Sequence, residues 1–480
     1  MPAEVGRPLG EQQRRRGLLD QQHQHGGEPL AGVGLGLGIR VEPFAQRRAM
    51  IRERHGLIVG DRPANAAPDG RARTAGSVPG VTEVDDVRSP AADAAAAAVD
   101  VDDLLGYARA LIAAPSENPG GTEDEAASVA ADILASLGAT PEIVRGDEGR
   151  PSVVARFGDR PRPSLAWNGH LDTVPAGSPD AWTTPPFDGE IRDGKLIGRG
   201  ACDMKGAIAA ALASAAAIAR VGVPLGGSLW FHLAADEELA GIHGTNVLWE
   251  RGMLDQDAAI VGEPTELQLG LAERGGAWIT ATAHGRAAHG SQPHRGVNAI
   301  TSMARLLLRL EEALPDLTHP LIGGPTVNAA LIEGGSAPNV VPDRCVVDID
   351  RRLLPGEDDP AAVLEPFRRL IDEIRADHPE VRLDVTIREW IDAAEAPPDE
   401  RIVRLARAAV AEAGGGPPAA VGFSGITDAR YYLNQARIPT VILGPGSIAV
   451  AHTADEWVSV DELVAAARAY ARLFVGFLGD

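Results

Sequence analysis

The sequence predicts an α/β protein: a metal-dependent catalytic domain on a largely parallel central sheet, with an α+β lid domain inserted into it. Three observations lead there. Apolar strands alternate with amphipathic helices from about residue 100 to 272 and again after 391, the pattern of a parallel sheet. Between those stretches the order changes to strands and two helices that fit a separate sheet. Finally, His170, Asp203, Glu237 and Glu263 fall just after predicted strands, where open α/β sheets keep their ligands.

Each element follows from its periodicity. Apolar residues three and four apart mark helices at 104–113 and 123–137, and short apolar runs mark strands at 153–157 and 164–168. A helix at 206–219 and strands at 229–234 and 258–261 continue the alternation. The inserted unit reads as strands at 277–283, 326–332, 345–351 and 382–388, with a long helix at 297–314 and a second at 361–377. A helix at 400–413, a strand at 440–443 and a last helix at 460–478 complete the first pattern. The expected domains are therefore a catalytic domain from 96–272 and 392–480, and an inserted lid/dimerisation domain from 273–391. Such an insertion explains why His452 lies so far along the chain from the other metal-binding candidates.

Residues 1–95 are rich in Gly, Arg, Pro and Gln, lean basic and show no sustained hydrophobic period, so disorder is expected there. The apolar stretch at 30–39 has no cleavage site of the kind a signal peptide carries. An alternative is that this extension comes from a misassigned translation start, which mass spectrometry of the native N-terminus would decide.

With 480 residues and ample apolar content the chain is long enough for two domains with real cores, and with a formal net charge of −22 it shows no basic stripe for nucleic acid. Its longest apolar run, 207–219, is short of the roughly 20 residues needed to span a bilayer, so no membrane partner is expected. Two cysteines, Cys202 and Cys345, at no metal-ligand spacing, fit a reducing cytoplasm. Cys202 reads as a buried, inert thiol, with no histidine positioned beside it.

The chemistry lies in five short motifs. They are Gly169-His170-Leu171-Asp172-Thr173, the Asp203 turn Gly198-Arg199-Gly200-Ala201-Cys202-Asp203, Asp236-Glu237-Glu238, Gly262-Glu263-Pro264, and Ala451-His452-Thr453-Ala454-Asp455-Glu456. Two histidines and three carboxylates are borderline nitrogen and oxygen donors, suited to zinc first and to cobalt or manganese as alternatives. Five ligands for two ions require a bridging carboxylate, and Asp203 is central in the order. Asp172, two residues after His170, is placed to accept the far imidazole N–H and fix its tautomer. Of two adjacent carboxylates, one can ligate while the other handles the proton of a nucleophilic water.

In these motifs, their order and their spacing, residues 100–480 resemble the M20 metallopeptidase family. The resemblance implies that His170 and Glu263 serve one metal ion, Glu238 and His452 the other, with Asp203 between them. It assigns Glu237 the general acid/base role, and it implies a cis peptide directly after Asp203. It matches His289 to a lid histidine that reaches the partner's site in dimeric members and stabilises the oxyanion. It matches Arg352 to a residue that grips the substrate carboxylate, with Asn339 as the adjacent polar group. Ser424, Gly425 and Thr427 match the family's substrate loop, although Ile426 stands where a second glycine is commoner.

The implied activity is hydrolysis of the amide bond of an N-acyl amino acid by a metal-activated water. The implied branch is that of acetylornithine deacetylase and succinyl-diaminopimelate desuccinylase, acting as a cytoplasmic homodimer. A peptidase of the glutamate carboxypeptidase or dipeptidase type, taking short peptides, is the near alternative. A non-catalytic member that binds a metabolite is the remote one, since neither a ligand nor Glu237 is missing.

Overall fold

The computed structural model describes residues 87–146 and 149–479. Its strands are β1 (Glu142–Arg145), β2 (Pro151–Phe157), β3 (Ser164–His170), β4 (Glu190–Arg192), β5 (Lys195–Ile197), β6 (Ser228–Ala234), β7 (Ala258–Val261), β8 (Leu269–Glu273), β9 (Gly275–His284), β10 (Thr326–Gly334), β11 (Arg344–Leu353), β12 (Arg382–Ile391), β13 (Ala394–Glu395), β14 (Ala420–Phe423), β15 (Thr440–Ile442) and β16 (Trp457–Ser459). Its helices are α1 (Pro90–Ala97), α2 (Val101–Ile112), α3 (Asp124–Ser136), α4 (Lys205–Val221), α5 (Thr245–Glu250), α6 (Ala299–Leu307), α7 (Pro360–Asp377), α8 (Arg401–Val410) and α9 (Val460–Leu478).

Among the described residues the main sheet has nine strands, in the order β1-β2-β6-β3-β7-β15-β8-β13, with β14 also paired to β8. Its centre, β6-β3-β7-β15, is parallel, and the flanking pairs β1-β2, β2-β6 and β8-β13 are antiparallel. Alternation across the strands loads both faces. Leu165 and Trp167 of β3 and Leu229 and Phe231 of β6 face one core, with α1, α2, α3, α4, α8 and α9. Ala166, Ala259 and Val261 face a smaller one with Leu248, Phe423 and Tyr432. Helix α4 is buried from Lys205 to Ile218, and its alanines let neighbouring helices approach closely.

The stretch 275–391 forms an antiparallel sheet, β10-β11-β9-β12, covered by α6 and α7 over its own apolar core. The expected helix at 297–314 ends early. At Arg309 the backbone leaves helical angles (φ −120°, ψ 12°), and a separate short turn at Leu310–Ala313 follows. Leu310 and Ala313 are still buried, so the apolar spacing runs through the break and hides it.

A second departure concerns the extension. Pro90–Ala97 is helical and buries Ala92 and Ala95 against the main core, although it overlaps the stretch expected to be disordered. The Ser89 hydroxyl caps it by accepting the Ala92 N–H at 3.2 Å. A run of near-uniform alanine carries no hydrophobic period, which is why the pattern missed it. Residues 1–86 of that expectation, and the possible start-site error, lie outside the described residues.

Too short to read from sequence, β16, β5 and β4 make a small antiparallel sheet. It ties the segment before Asp203 to the segment after His452. Among the described residues no helix is long and apolar enough to cross a membrane.

Candidate metal centre

Three neighbouring parallel strands deliver most of the site. His170 is the last residue of β3, Glu237 and Glu238 follow β6 in a short helical turn, and Glu263 lies two residues beyond β7. Asp203 differs from expectation: it does not follow a central strand but occupies the turn before α4, after the short β5. Close packing beneath the strand ends requires glycine, since a Cβ on Gly262 would stand 2.4 Å from the Trp167 ring. His452 arrives on the loop between β15 and β16 with a left-handed backbone (φ 62°).

The five side chains converge as two trios, His170/Asp203/Glu263 and Asp203/Glu238/His452, each with ligand atoms all within 4.8 Å of one another. Nε2 of His170 lies 3.0 Å from Asp203 Oδ1 and 3.8 Å from Glu263 Oε1. Nε2 of His452 lies 3.3 Å from Asp203 Oδ2 and 3.1 Å from Glu238 Oε2. Asp203 thus turns one oxygen to each histidine. The Asp203–Met204 peptide is cis, as the resemblance implied.

Electrostatics support a cation site. His170, Asp203, Glu238 and Glu263 are nearly sealed from solvent, whereas the His452 side chain is 49% exposed. Burial, then the neighbouring Asp203 charge, pushes Glu263 well above the usual carboxylate range. Burial and Asp203 likewise raise Glu238. Burial opposes ionisation of Asp203 too, but hydrogen bonds from both histidines hold it below its ordinary value. Burial pulls His170 down, and its contacts with Asp172 and Asp203 outweigh that and leave it well above 6.5. His452 is raised to about 10 by its hydrogen bonds to Asp203 and then Glu238. Buried carboxylates this close need compensating positive charge. Two divalent cations on these nitrogen and oxygen donors would supply it, so the donor set fits.

Glu237 belongs to neither trio. Its Oε2 lies 3.9 Å from His170 Nε2, and burial followed by the Glu263 charge raises its pKa well above the usual range.

Asp172 corrects one expectation. The His170 Nδ1 atom is 2.9 Å from the backbone carbonyl of Asp172 and 3.6 Å from its carboxylate, so the carbonyl is the nearer acceptor. The carboxylate oxygens instead accept the N–H groups of Glu237 and Glu238, each at 3.1 Å, and the Asn118 amide at 2.8 Å. Burial opposes its ionisation, yet His170 and these donors keep its pKa low.

Beneath lies a network that sequence reasoning missed. Asn118 also donates to Asp236 at 3.1 Å and accepts from Arg150 at 3.0 Å, and Arg150 clasps Glu123 at 2.6 Å. These residues are scattered from 118 to 236 with no motif to join them; only Asp236, beside Glu237, carried a signal.

Among the described residues, none of the other expected residues shares a hydrogen bond or ion pair with the five. His289 is exposed and its Nδ1 meets the Ser291 hydroxyl at 2.8 Å; among the described residues it makes no hydrogen bond or ion pair with the five. Asn339 is its neighbour, accepting the Gly290 N–H at 2.7 Å through its carbonyl. Arg352 is paired with Asp350 at 3.0 Å. Ser424 is exposed and Gly425 half-buried. Thr427 is a correction: it is fully buried and its hydroxyl is taken up by Glu273, so it supports the loop from within. Cys202 is buried, and burial raises its thiol pKa, in keeping with an inert group.

A family model described as peptidase family M20/M25/M40 matches residues 166–475. The chain belongs to that family. Acetylornithine deacetylase of Myxococcus xanthus is 35% identical to this M20 chain over 324 residues, covering 66% of it and 81% of the relative. Succinyl-diaminopimelate desuccinylase of Methylorubrum extorquens is 34% identical over 390 residues, covering 77% of the chain and 97% of the relative. A crystal structure of a dinuclear metal binding peptidase of the M20 family from Bacillus subtilis shares the fold, with a TM-score of 0.59 at 19% identity over 79% of this chain and 98% of that one.

Proposed function

We propose that this M20 chain hydrolyses the amide bond of an N-acyl amino acid. The observation that carries the reading is the pair of ligand trios joined at Asp203, with the unengaged carboxylate of Glu237 beside them. The names of the relatives support a short acyl group, acetyl or succinyl, on the amine of an amino acid. Two divalent cations, zinc by preference, would polarise the scissile carbonyl and acidify a water there.

The protein's own groups do the rest. Glu237 takes the proton from the attacking water and returns it to the leaving nitrogen, so the amine departs neutral. Asp172 holds the Glu237–Glu238 backbone so that one carboxylate ligates and the other stays free. Arg352, with Asn339, Ser424 and Gly425, orients the substrate once the 275–391 unit closes over the site, and Arg352 exchanges Asp350 for the substrate carboxylate.

His289 completes the site from a second protomer, donating to the developing oxyanion. The edge strand β10 supports such a dimer, because Leu331 and Ile332 on it are 67% and 63% exposed. The two buried free cysteines fit a reducing cytoplasm.

The test is a screen of the metal-loaded protein against N-acetyl, N-succinyl and N-formyl amino acids alongside dipeptides. Turnover of acyl amino acids over dipeptides is expected; turnover of dipeptides alone would replace the deacylase reading with the peptidase one.

A further inference from the structure

The dinuclear reading leaves one buried acidic residue of the last motif without a task. Glu456 stands four residues after His452 and is fully buried. Its Oε1 accepts the backbone N–H of Cys202 at 2.8 Å and of Asp203 itself at 3.0 Å. Its Oε2 meets Nη1 of the buried Arg199 at 2.5 Å, and its carbonyl accepts the Gly198 N–H at 2.9 Å. From there β16 pairs with β5, so one short segment binds the Asp203 turn along its whole length.

We propose that Glu456 is a positioning residue that locks the His452 loop to the Asp203 turn and so sets up the Asp203/Glu238/His452 metal position. The loop needs an anchor. His452 and Asp455 both have left-handed backbones, at φ 62° and 54°, a conformation that side-chain-bearing residues hold only when their surroundings impose it. Asp455 fixes one side by accepting the Thr183 N–H at 2.7 Å, and Glu456 fixes the other against Asp203. Two of the three ligands of that position thereby move as one body. His170 and Glu263, by contrast, are set by the ends of β3 and β7, and among the described residues neither shares a hydrogen bond or ion pair with Glu456. The segment that carries His452 is thus joined to Asp203 by a carboxylate that belongs to neither trio.

This inference rests on the dinuclear reading, and the experiment separates the two. Full-length protein, wild type and variant, is stripped of metal and titrated with cobalt(II) and with zinc(II), following calorimetry, cobalt absorption and elemental stoichiometry. Glu456→Asp keeps the charge for Arg199 but withdraws the carboxylate by one methylene; Arg199→Met with Glu456→Leu removes the anchor without leaving a buried unpaired charge. Both variants are expected to bind the second ion about 10–100-fold more weakly, the usual cost of losing an outer support of a metal site, and to lose much less at the first, which shares only Asp203 with the anchored segment. Two ions bound with wild-type affinity by either folded variant, or an equal loss at both positions, overturns the role given to Glu456. Fewer than two ions in the wild type overturns the dinuclear reading itself.

Discussion

The carboxylate of Asp172 accepts the backbone N–H of Glu238 through Oδ2 at 3.1 Å, and Oδ1 does the same for Glu237. It therefore fixes the turn that aims one glutamate at the metal position and leaves its neighbour free. With the Asn118 amide also donating to Oδ2, Asp172 has three N–H donors and no room for a donor of its own. In Asp172→Asn the amide NH2 must face one of them. We expect kcat to fall about 10–100-fold with His170 still ligating, because Nδ1 keeps its backbone carbonyl. Kinetics with metal analysis would check this; preferential loss of the ion at His170 would mean that the carboxylate orients the imidazole after all.

Metal uptake should release protons. Free histidine titrates near 6.5, but His452 is raised to about 10 and so is protonated at pH 7 without metal, and contacts with Asp172 and Asp203 raise His170 as well. Ligation needs neutral imidazole. Apparent affinity should therefore climb as pH rises from 7 towards 10. The stabilisation that the His452 imidazolium gives the metal-free protein has the opposite course: full below about pH 6.5 and lost as pH passes the raised value. Zinc calorimetry in buffers of different ionisation heat should return at least about one proton per pair of ions; a buffer-independent heat would contradict this.

Truncations should divide at α1. Removing residues 1–86 is expected to leave activity and melting temperature nearly unchanged, on composition alone. Removing 1–98 takes away Val87, Ala92 and Ala95 from the core and the Arg472–Asp93 ion pair at 2.6 Å. A loss on the order of 2 kcal/mol, or about 2–3 °C for a folded chain of this size, is expected. Calorimetric melts of both would decide, and equal melting temperatures would show that α1 contributes nothing.

If His289 acts across a dimer, inactive Glu237→Gln and His289→Ala proteins should complement after subunit exchange. A mixed dimer then has one intact site, and random exchange should restore roughly a quarter of wild-type activity. No recovery despite demonstrated exchange would exclude the trans role, as would high activity of His289→Ala alone.

What could be read in advance follows the length scale of each signal. His170, Glu237, Glu238 and Glu263 sit at the ends of long, apolar, periodic strands, so both their place and their convergence were legible. Asp203 and His452 depend on strands of three residues, below the reach of any period. The choice between the carbonyl and the carboxylate of Asp172 depends on side-chain torsions, which spacing does not encode. Glu456 lies inside the last motif, yet nothing in the linear order shows that it meets Asp203 some 250 positions earlier.

The most direct test of the account is Glu237→Gln, assayed with the best substrate and paired with elemental analysis. Glu237 is in neither ligand trio, so the variant should bind two ions as the wild type does. Without the proton shuttle its kcat should fall about 10²–10⁴-fold. Near wild-type turnover with both ions in place would contradict the mechanism at its centre.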